Sequence, residues 1–313
     1  MYKTSAYFTT KNGRKIILTG AAAFGFILFA GNFFPHTLFL HKYKEVVACY
    51  KEGIEVPVPE KVKTYLKTAY EKLGMHPCYQ INIQPFTVFG FDIFEGGSTH
   101  YRFGCVIGIP TNFCYESEED VDYQFMRLRN EKIIWDSEDG KFLKKSLVFT
   151  EDEKLFAICK SILQLQTHRV LLNSIFPSLS FLSMYAIATS LNQKLNLYAK
   201  PLSVRVIMYS ILGFFGFGTW AFLKDFNQVL YDISIDKTLA KLGPEFVLAG
   251  ISYYGKILKR NIAFENLVGS GKYSSTGNEN FLVRQKSLPI TYRKAFFESK
   301  LQELNKKLNQ MAL

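Results

Sequence analysis

The chain has 313 residues, a formal net charge of +11, and 48% hydrophobic and 16% aromatic residues. Its mean hydropathy is close to zero. That value excludes a many-pass transporter, and it is also too high for a simple soluble domain. The aromatic residues do not alternate with the basic ones as a base-stacking surface would require, so we predict no nucleic-acid partner.

The first 44 residues contain neither Asp nor Glu, and Lys3, Lys11, Arg14 and Lys15 precede an apolar run at 16–34. A basic, acid-free leader rich in Ser and Thr is typical of a mitochondrial targeting segment. The alternative is a secretory signal peptide or a signal anchor. However, the run is longer than a usual signal core and no small-residue cleavage site follows it. We therefore predict that residues 1–15 form a basic matrix-targeting tail.

Three runs without a charged residue are each long enough to cross a bilayer as a helix, at 16–34, 170–189 and 206–223. The second run contains Pro177 and several serines, so a buried helix is the alternative interpretation. Proline is tolerated in membrane helices where hydroxyls or neighbouring helices satisfy the freed carbonyl. We therefore predict one N-terminal transmembrane helix followed by a transmembrane hairpin.

The predicted orientation depends on the tail and on the short link 190–205, which contains three basic residues and no acidic one. Three crossings place the tail and this link on the same side, and the positive-inside rule assigns that side to the matrix. The segments 42–169 and 224–313 would then face the intermembrane space. The prediction is a multi-pass protein of the mitochondrial inner membrane, in contact with its lipid.

The aqueous segment 42–169 is predicted to contain helices and a sheet. Apolar residues at helical spacing predict a helix over Glu60–Leu73, closed by Gly74. Alternation between residues 79 and 149 predicts a small, mostly antiparallel sheet. Its strands are at 81–93, 101–109 and 121–129, followed by a hairpin of 133–135 and 142–149 around Asp-Ser-Glu-Asp-Gly-Lys.

Helices follow the sheet. Thr150 and Glu153 form a capping-box sequence, and its helix is predicted to run without a break into the second membrane segment. Amphipathic spacing continues after Leu223, and a further helix is predicted from Pro244 to near Lys259. We expect a flexible polar loop at 269–280 and a final solvent-exposed helix at 292–311. The fold class is thus an α+β membrane protein with a helical C-terminal region.

No motif predicts catalysis, a cofactor or a metal site. The sequence from Gly269 to Lys272 lacks the earlier Gly and the following Ser or Thr of a phosphate-binding loop. His76 and Cys78 have no second pair of metal ligands near them. His100, Asp92 and Ser98 are triad residue types, but no nucleophile elbow is present.

Cysteine spacing gives no redox motif. The five cysteines are Cys49, Cys78, Cys105, Cys114 and Cys159, and none belongs to a C-x-x-C sequence. Cys105 and Cys114 could form a disulfide if their segments pair. The simpler interpretation is that the cysteines are small buried hydrophobic residues.

The predicted membrane segments contain no Asp, Glu, Lys, Arg or His, which argues against a pump or proton-coupled carrier. They do contain closely spaced small residues: Ala21, Gly25, Ser174, Ser178, Gly213, Gly216 and Gly218. Such faces allow helices to approach closely in lipid. They could serve packing within the chain or docking of a partner's membrane helix, and both interpretations stay open.

Five sequence windows occur in the order found in a known family. They are PFTVFGF at 85–91, VIGIP at 106–110 followed by Asn112-Phe113, GISYYGKILKRNIAFENLVG at 250–269, YSSTGN at 273–278, and LPITYR at 288–293. In these windows and in its hydropathy, the chain resembles the transmembrane protein 177 family. It departs from the expected pattern at Lys259-Arg260 and at Ser275-Thr276.

This resemblance implies a non-enzymatic protein of the mitochondrial inner membrane that acts early in making cytochrome c oxidase. The implied partners are newly made oxidase subunit 2 and its membrane chaperone, with copper-delivery factors in the same assembly. The family supplies no functional residues. The alternative is a membrane-anchored thiol, redox or metal-handling factor, and a small-solute carrier is disfavoured by the charge-free segments.

Overall fold

The structure, a computed structural model, describes residues 10–121, 127–128, 131–281 and 284–311. Parts of the predicted tail 1–15 and of the predicted strand 121–129 lie outside the described residues. The chain forms two compact units. We call residues 1–39 and 168–227 the membrane unit, and residues 40–167 and 228–313 the sheet unit.

Helices make up most of the described chain. In order they are α1 (Lys11–Phe33), α2 (Leu40–Val47), α3 (Glu60–Lys72), α4 (Pro77–Ile81), α5 (Glu138–Leu147), α6 (Glu151–Leu165), α7 (Arg169–Lys194), α8 (Leu202–Ala240), α9 (Pro244–Val268) and α10 (Ile290–Met311). The strands are β1 (Tyr50–Lys51), β2 (Ile54–Glu55), β3 (Ile83–Val88), β4 (Phe94–Gly97), β5 (Cys105–Pro110), β6 (Arg127–Leu128) and β7 (Glu131–Lys132). The predicted fold class is confirmed.

Three helices are long and apolar enough to cross a membrane: α1 with the turn after it, α7 and α8. Within the membrane unit Phe24 of α1 packs edge-on against Phe181 of α7 at 4.8 Å between ring centroids, and Arg14 at the start of α1 lines the same cleft as Gln193 at the end of α7. The two helices therefore run antiparallel. Near the other end of α7, Asn192 lies beside Tyr209 of α8. The start of α1, the end of α7 and the start of α8 therefore share one end of this unit.

The main sheet has the order β3-β5-β4. Strands β4 and β5 pair antiparallel, as do β1 with β2 and β6 with β7. Strands β3 and β5 pair in parallel. The chain passes from β3 to β4 at the opposite edge of the sheet and then returns to β5, which lies between them. All six residues of β5 are buried, as the central strand of a covered sheet requires.

The predicted hairpin at 133–149 is wrong, because residues Glu138–Leu147 form α5. Ser137 caps this helix by accepting a hydrogen bond from the Gly140 amide at 3.0 Å. Acidic residues in the first turn and Lys144 and Lys145 in the last turn suit the helix dipole. Leu143 and Leu147, four residues apart, are fully buried. The Asp-Gly pair suggested a hairpin turn, but it lies within the first turn of the helix.

The capping box at Thr150 and Glu153 is confirmed, with bonds of 2.7 and 3.3 Å. The predicted continuation into the membrane segment is wrong, because α6 ends at Leu165 and α7 starts at Arg169. A loop of the sheet unit accounts for the break. The Ser98 hydroxyl donates to the carbonyl of Leu165 at 2.9 Å, and the Thr99 amide donates to the same oxygen at 3.1 Å.

The final helix, α10, is not the solvated helix that its mixed charge predicted. Phe297 is fully buried and packs edge-on against Phe156 of α6 at 5.4 Å between ring centroids. Gly250 of α9 lies at this contact, where a Cβ atom would come within 2.9 Å of the Phe156 ring. The same helix α9 extends to Val268, well beyond the predicted end near Lys259.

The core of the sheet unit joins chain segments that precede and follow the membrane hairpin. Its buried residues include Ile107 of β5, Phe156 of α6, Leu239 of α8, Val247 of α9 and Phe297 of α10. Because residues 40–167 and 228–313 share one core, they lie on the same side of any bilayer that α7 and α8 cross. This agrees with an even number of crossings between them.

Candidate functional site

Two of the small residues predicted on membrane helices form the contact between α1 and α7. Ala21 and Gly25 are buried on one face of α1. A Cβ atom on Gly25 would lie 3.2 Å from the Leu182 side chain of α7. These residues therefore serve packing within the chain.

A second close contact joins α7 to α8. The Ser180 hydroxyl donates to the carbonyl of Gly216 at 2.6 Å, and a Cβ atom on Gly216 would lie 2.8 Å from Met184. Ser174 is buried, with its hydroxyl bonded to the Val170 carbonyl of its own helix. Ser178 is half-buried. The sequence analysis missed Ser180, because its bond is to a backbone atom 36 residues away.

Gly213 and Gly218 behave differently from Gly216. A Cβ atom on either would meet nothing within 4 Å in the described part of the chain. Neighbouring Phe214 and Phe217 are 77% and 58% exposed. The predicted set therefore divides into residues that pack inside the membrane unit and two glycines that lie on open helix surface.

In the sheet unit, a buried arginine binds two aspartates from the end of α8. Arg293 of α10 donates to both carboxylate oxygens of Asp236, each at 2.7 Å, and to Asp232 at 3.3 Å. The Tyr254 hydroxyl donates to Asp236 at 2.8 Å, and the Arg293 guanidinium lies 5.0 Å from that ring's centroid. The Leu288 amide also donates to Asp232. We call these residues the Arg293 cluster.

Burial by itself lowers the pKa of Arg293, but the attraction of Asp236 and Asp232 outweighs it and raises the pKa above its usual value. Burial also raises the pKa of Tyr254 well above 10. The arginine is thus held charged and the phenol neutral. Both hydrogen-bond to Asp236, so the cluster is internally satisfied.

A second buried arginine, Arg260 of α9, lies at one of the positions where the chain departs from the family pattern. It pairs with Asp92 at 2.8 Å and donates to the Phe91 carbonyl at 3.2 Å. The Asp92 side chain is 73% exposed, and the charge and hydrogen bond of Arg260 lower its pKa below its usual value. The neighbouring Asn261 donates to the carbonyl of Gly277 at 2.8 Å.

These contacts bring four of the five family windows together. Asn278 of the fourth window accepts from the Thr291 amide of the fifth at 3.1 Å, and Asn261 and Arg260 connect the third window to the fourth and the first. A polar cavity of about 240 Å³ lies between the two arginines, with Lys160 and Glu279 among its lining residues. The third, fourth and fifth windows therefore line one cavity, and the first window contacts Arg260 through the Phe91 carbonyl.

The loop predicted as flexible, 269–280, is held by Glu265. Its carboxylate accepts from the amides of Gly271 at 2.6 Å and Tyr273 at 3.1 Å. Those amide bonds lower the pKa of Glu265. Amides that a phosphate-binding loop would offer to a ligand are thus occupied by the chain's own carboxylate.

The residues of triad type are not brought together. His100 bonds the Gln166 carbonyl, Ser98 donates to the end of α6, and Asp92 pairs with Arg260. No group of three or more potential metal ligands occurs among the residues that the structure describes.

All five cysteines are free. Cys105 and Cys159 are buried, and burial raises the pKa of each to about 12. Cys78 and Cys114 are exposed, and Cys49 is half-buried. The interpretation as buried hydrophobic residues therefore holds for two of the five. The disulfide considered between Cys105 and Cys114 is not formed.

The fold and the site define a three-span membrane protein with a sheet unit assembled from two separate chain segments. The family model described as Transmembrane protein 177 matches residues 24–290. Proteins of that name from Rattus norvegicus and Homo sapiens are 26% and 23% identical, over 250 and 303 residues. The rat match covers 78% of this chain and 79% of the relative, and the human match covers 94% of both. No solved structure matches. The chain belongs to the transmembrane protein 177 family.

Proposed function

We propose that the protein is a non-enzymatic assembly factor of the mitochondrial inner membrane. It stabilises newly made cytochrome c oxidase subunit 2 together with that subunit's membrane chaperone, in an assembly that includes copper-delivery factors. The basic end of the membrane unit faces the matrix, and the sheet unit faces the intermembrane space.

The observation that carries this proposal is the open surface of α8 around Gly218. Small residues on a membrane helix allow a second helix to approach closely, because dispersion contacts and weak hydrogen bonds replace the missing hydrophobic force in lipid. Gly218 has that space free, whereas Gly25 and Gly216 use theirs within the chain. Family membership and the internally satisfied Arg293 cluster support a binding role rather than a catalytic one.

The first test is a mild-detergent pulldown of tagged protein after pulse-labelling of mitochondrial translation products. We expect selective retention of labelled subunit 2. The variant Gly218→Leu should reduce retention several-fold by filling the approach surface. Gly20→Leu is the matched control, since a Cβ atom at Gly20 also meets nothing within 4 Å and lies on α1.

Equal retention of all translation products, or of none, would overturn the proposal. If the Gly218→Leu variant retained as much labelled subunit 2 as the unmodified protein, α8 would not be the docking surface. Deletion of the gene should also accelerate subunit 2 turnover, and unchanged turnover would contradict the stabilising role.

Orientation is tested by thiol labelling with an impermeant maleimide at pH 7.5. In mitoplasts we expect Cys78 and Cys114 to react, because both are exposed on the sheet unit. Cys105 and Cys159 should react only after denaturation, since their thiols are buried and carry pKa values of about 12. Labelling of Cys78 and Cys114 only after the inner membrane is opened would reverse the assigned orientation.

A further inference from the structure

The membrane unit contains a large cleft at its basic end. The cleft has a volume of about 1030 Å³ and lies between α1, α7 and α8. Its lower walls are apolar, with Ile17 of α1, Leu182 of α7 and Leu212 of α8 among the lining residues. Its rim carries Arg14 and Arg205, which flank the apolar membrane runs. It therefore combines an apolar channel with two cations at headgroup depth.

The charged side chains that line the cleft are both basic. No acidic side chain lines it among the described residues. The membrane unit as a whole has nine Lys and Arg residues and a single acid, Asp225, which lies toward the opposite end of its helices. Neither Arg14 nor Arg205 makes an ion pair among the residues that the structure describes. No acidic side chain among the described residues therefore neutralises these two guanidinium groups, and a pair of them at one rim attracts an anion.

Polar groups next to the arginines are arranged to donate. Asn192 is 2% exposed, and its amide donates to the Tyr209 hydroxyl at 2.8 Å. Because the Tyr209 oxygen accepts this bond, its own proton is directed elsewhere, and Tyr209 lines the cleft. The Arg205 guanidinium lies 5.4 Å from the centroid of the Tyr198 ring, which orients its donors. The rim thus offers guanidinium and phenol donors to an oxyanion.

From this geometry we propose that the cleft binds an anionic glycerophospholipid. Arg14, Arg205 and Tyr209 bind its phosphate, and its acyl chains lie against the apolar walls. Phosphate is the group that two guanidinium donors and a hydroxyl recognise together, and a basic pocket between membrane helices is the expected location of a lipid headgroup. The apolar channel below the rim distinguishes a phospholipid from a free phosphate ion.

The test uses the purified full chain in a non-ionic detergent, without its protein partners. The probe is dioleoylphosphatidylglycerol, with dioleoylphosphatidylcholine as the neutral comparison, and binding is measured by native mass spectrometry. We expect selective retention of phosphatidylglycerol. The double variant Arg14→Gln and Arg205→Gln should weaken it by on the order of tenfold or more. Tyr209→Phe should weaken it by a smaller factor.

The matched control is the double variant Lys15→Gln and Lys200→Gln, which removes the same charge near the same end without touching the cleft lining. It should change the affinity less than twofold. An equal loss in both double variants would mean diffuse charge attraction and would overturn the proposal. Equal retention of phosphatidylcholine, or full competition by millimolar inorganic phosphate, would also overturn it.

The outcome is separable from that of the proposed function. If the arginine variants keep phosphatidylglycerol but lose subunit 2 in the pulldown, the cleft is a protein-binding site and the lipid proposal fails. If the arginine variants lose phosphatidylglycerol but still retain subunit 2, the lipid proposal stands. The lipid is then not required for binding of subunit 2.

Discussion

Replacing Asp236 with Ala is expected to lower the free energy of unfolding of the sheet unit by about 3–5 kcal/mol. The variant removes the carboxylate that bonds Arg293 twice at 2.7 Å, and it leaves a buried guanidinium with only Asp232 at 3.3 Å. It also leaves the buried Tyr254 hydroxyl without its acceptor. The measurement is urea unfolding of the full chain in mild detergent, followed by fluorescence of Trp135 in a Trp220→Phe background.

The control is Glu303→Ala, which removes an exposed ion pair with Lys300 on the same helix as Arg293. That pair should contribute little to the free energy of unfolding, because water screens it. A second variant, Arg293→Met with Asp236→Leu and Asp232→Asn, should recover more than half of the loss, since it leaves no unpaired buried charge. An Asp236→Ala effect as small as the Glu303→Ala effect would contradict the interpretation of the cluster as one buried unit.

The second variant with a large expected effect is Gly277→Ala. We expect it to lower the free energy of unfolding of the sheet unit by about 2–5 kcal/mol in the same urea titration. Gly277 has φ of +84°, where an L-residue pays about 1–2 kcal/mol. Its added Cβ would also press against the carbonyl oxygen of Leu258 and lie 2.9 Å from the Leu258 Cα. Overpacking of this kind costs about 1–3 kcal/mol more.

Gly271→Ala separates these two causes. Gly271 lies in the same loop with φ of +70°, but a Cβ there meets nothing within 4 Å. It should therefore pay only the backbone cost of about 1–2 kcal/mol. Equal effects of the two variants would show that backbone conformation alone decides the outcome and that the Leu258 contact relaxes freely.

Much of the membrane unit could be predicted from the sequence, because uninterrupted apolar runs have few alternative structures. The capping box at Thr150 and the helix over Glu60–Lys72 also follow from local patterns, and both are present. Where local signals compete, the stronger tertiary contact decides. Residues 138–147 carry both a turn dipeptide and helical spacing, and the burial of Leu143 and Leu147 selects the helix.

The candidate site could not be predicted, because its partners are far apart in the chain. Arg293 and Asp236 are separated by 57 residues, and Arg260 and the Phe91 carbonyl by 169. Nothing local to Arg293 shows that it is buried. A cue was available in α10, where Arg293, Phe297 and Leu301 follow helical spacing, but its mixed charge hid that pattern. The site windows were visible only through their resemblance to a family.

The division of the sheet unit by the membrane hairpin has a consequence for biosynthesis. Sixty residues, 168–227, must be synthesised and inserted before the second half of the core is available. Until then Phe156 lacks Phe297, and until α10 follows, the aspartates at the end of α8 lack their arginine. If the hairpin crossed the membrane only once, residues 40–167 and 228–313 would lie on opposite sides of it. Each segment would then expose apolar surface. Completion of this fold therefore reports correct insertion of the hairpin.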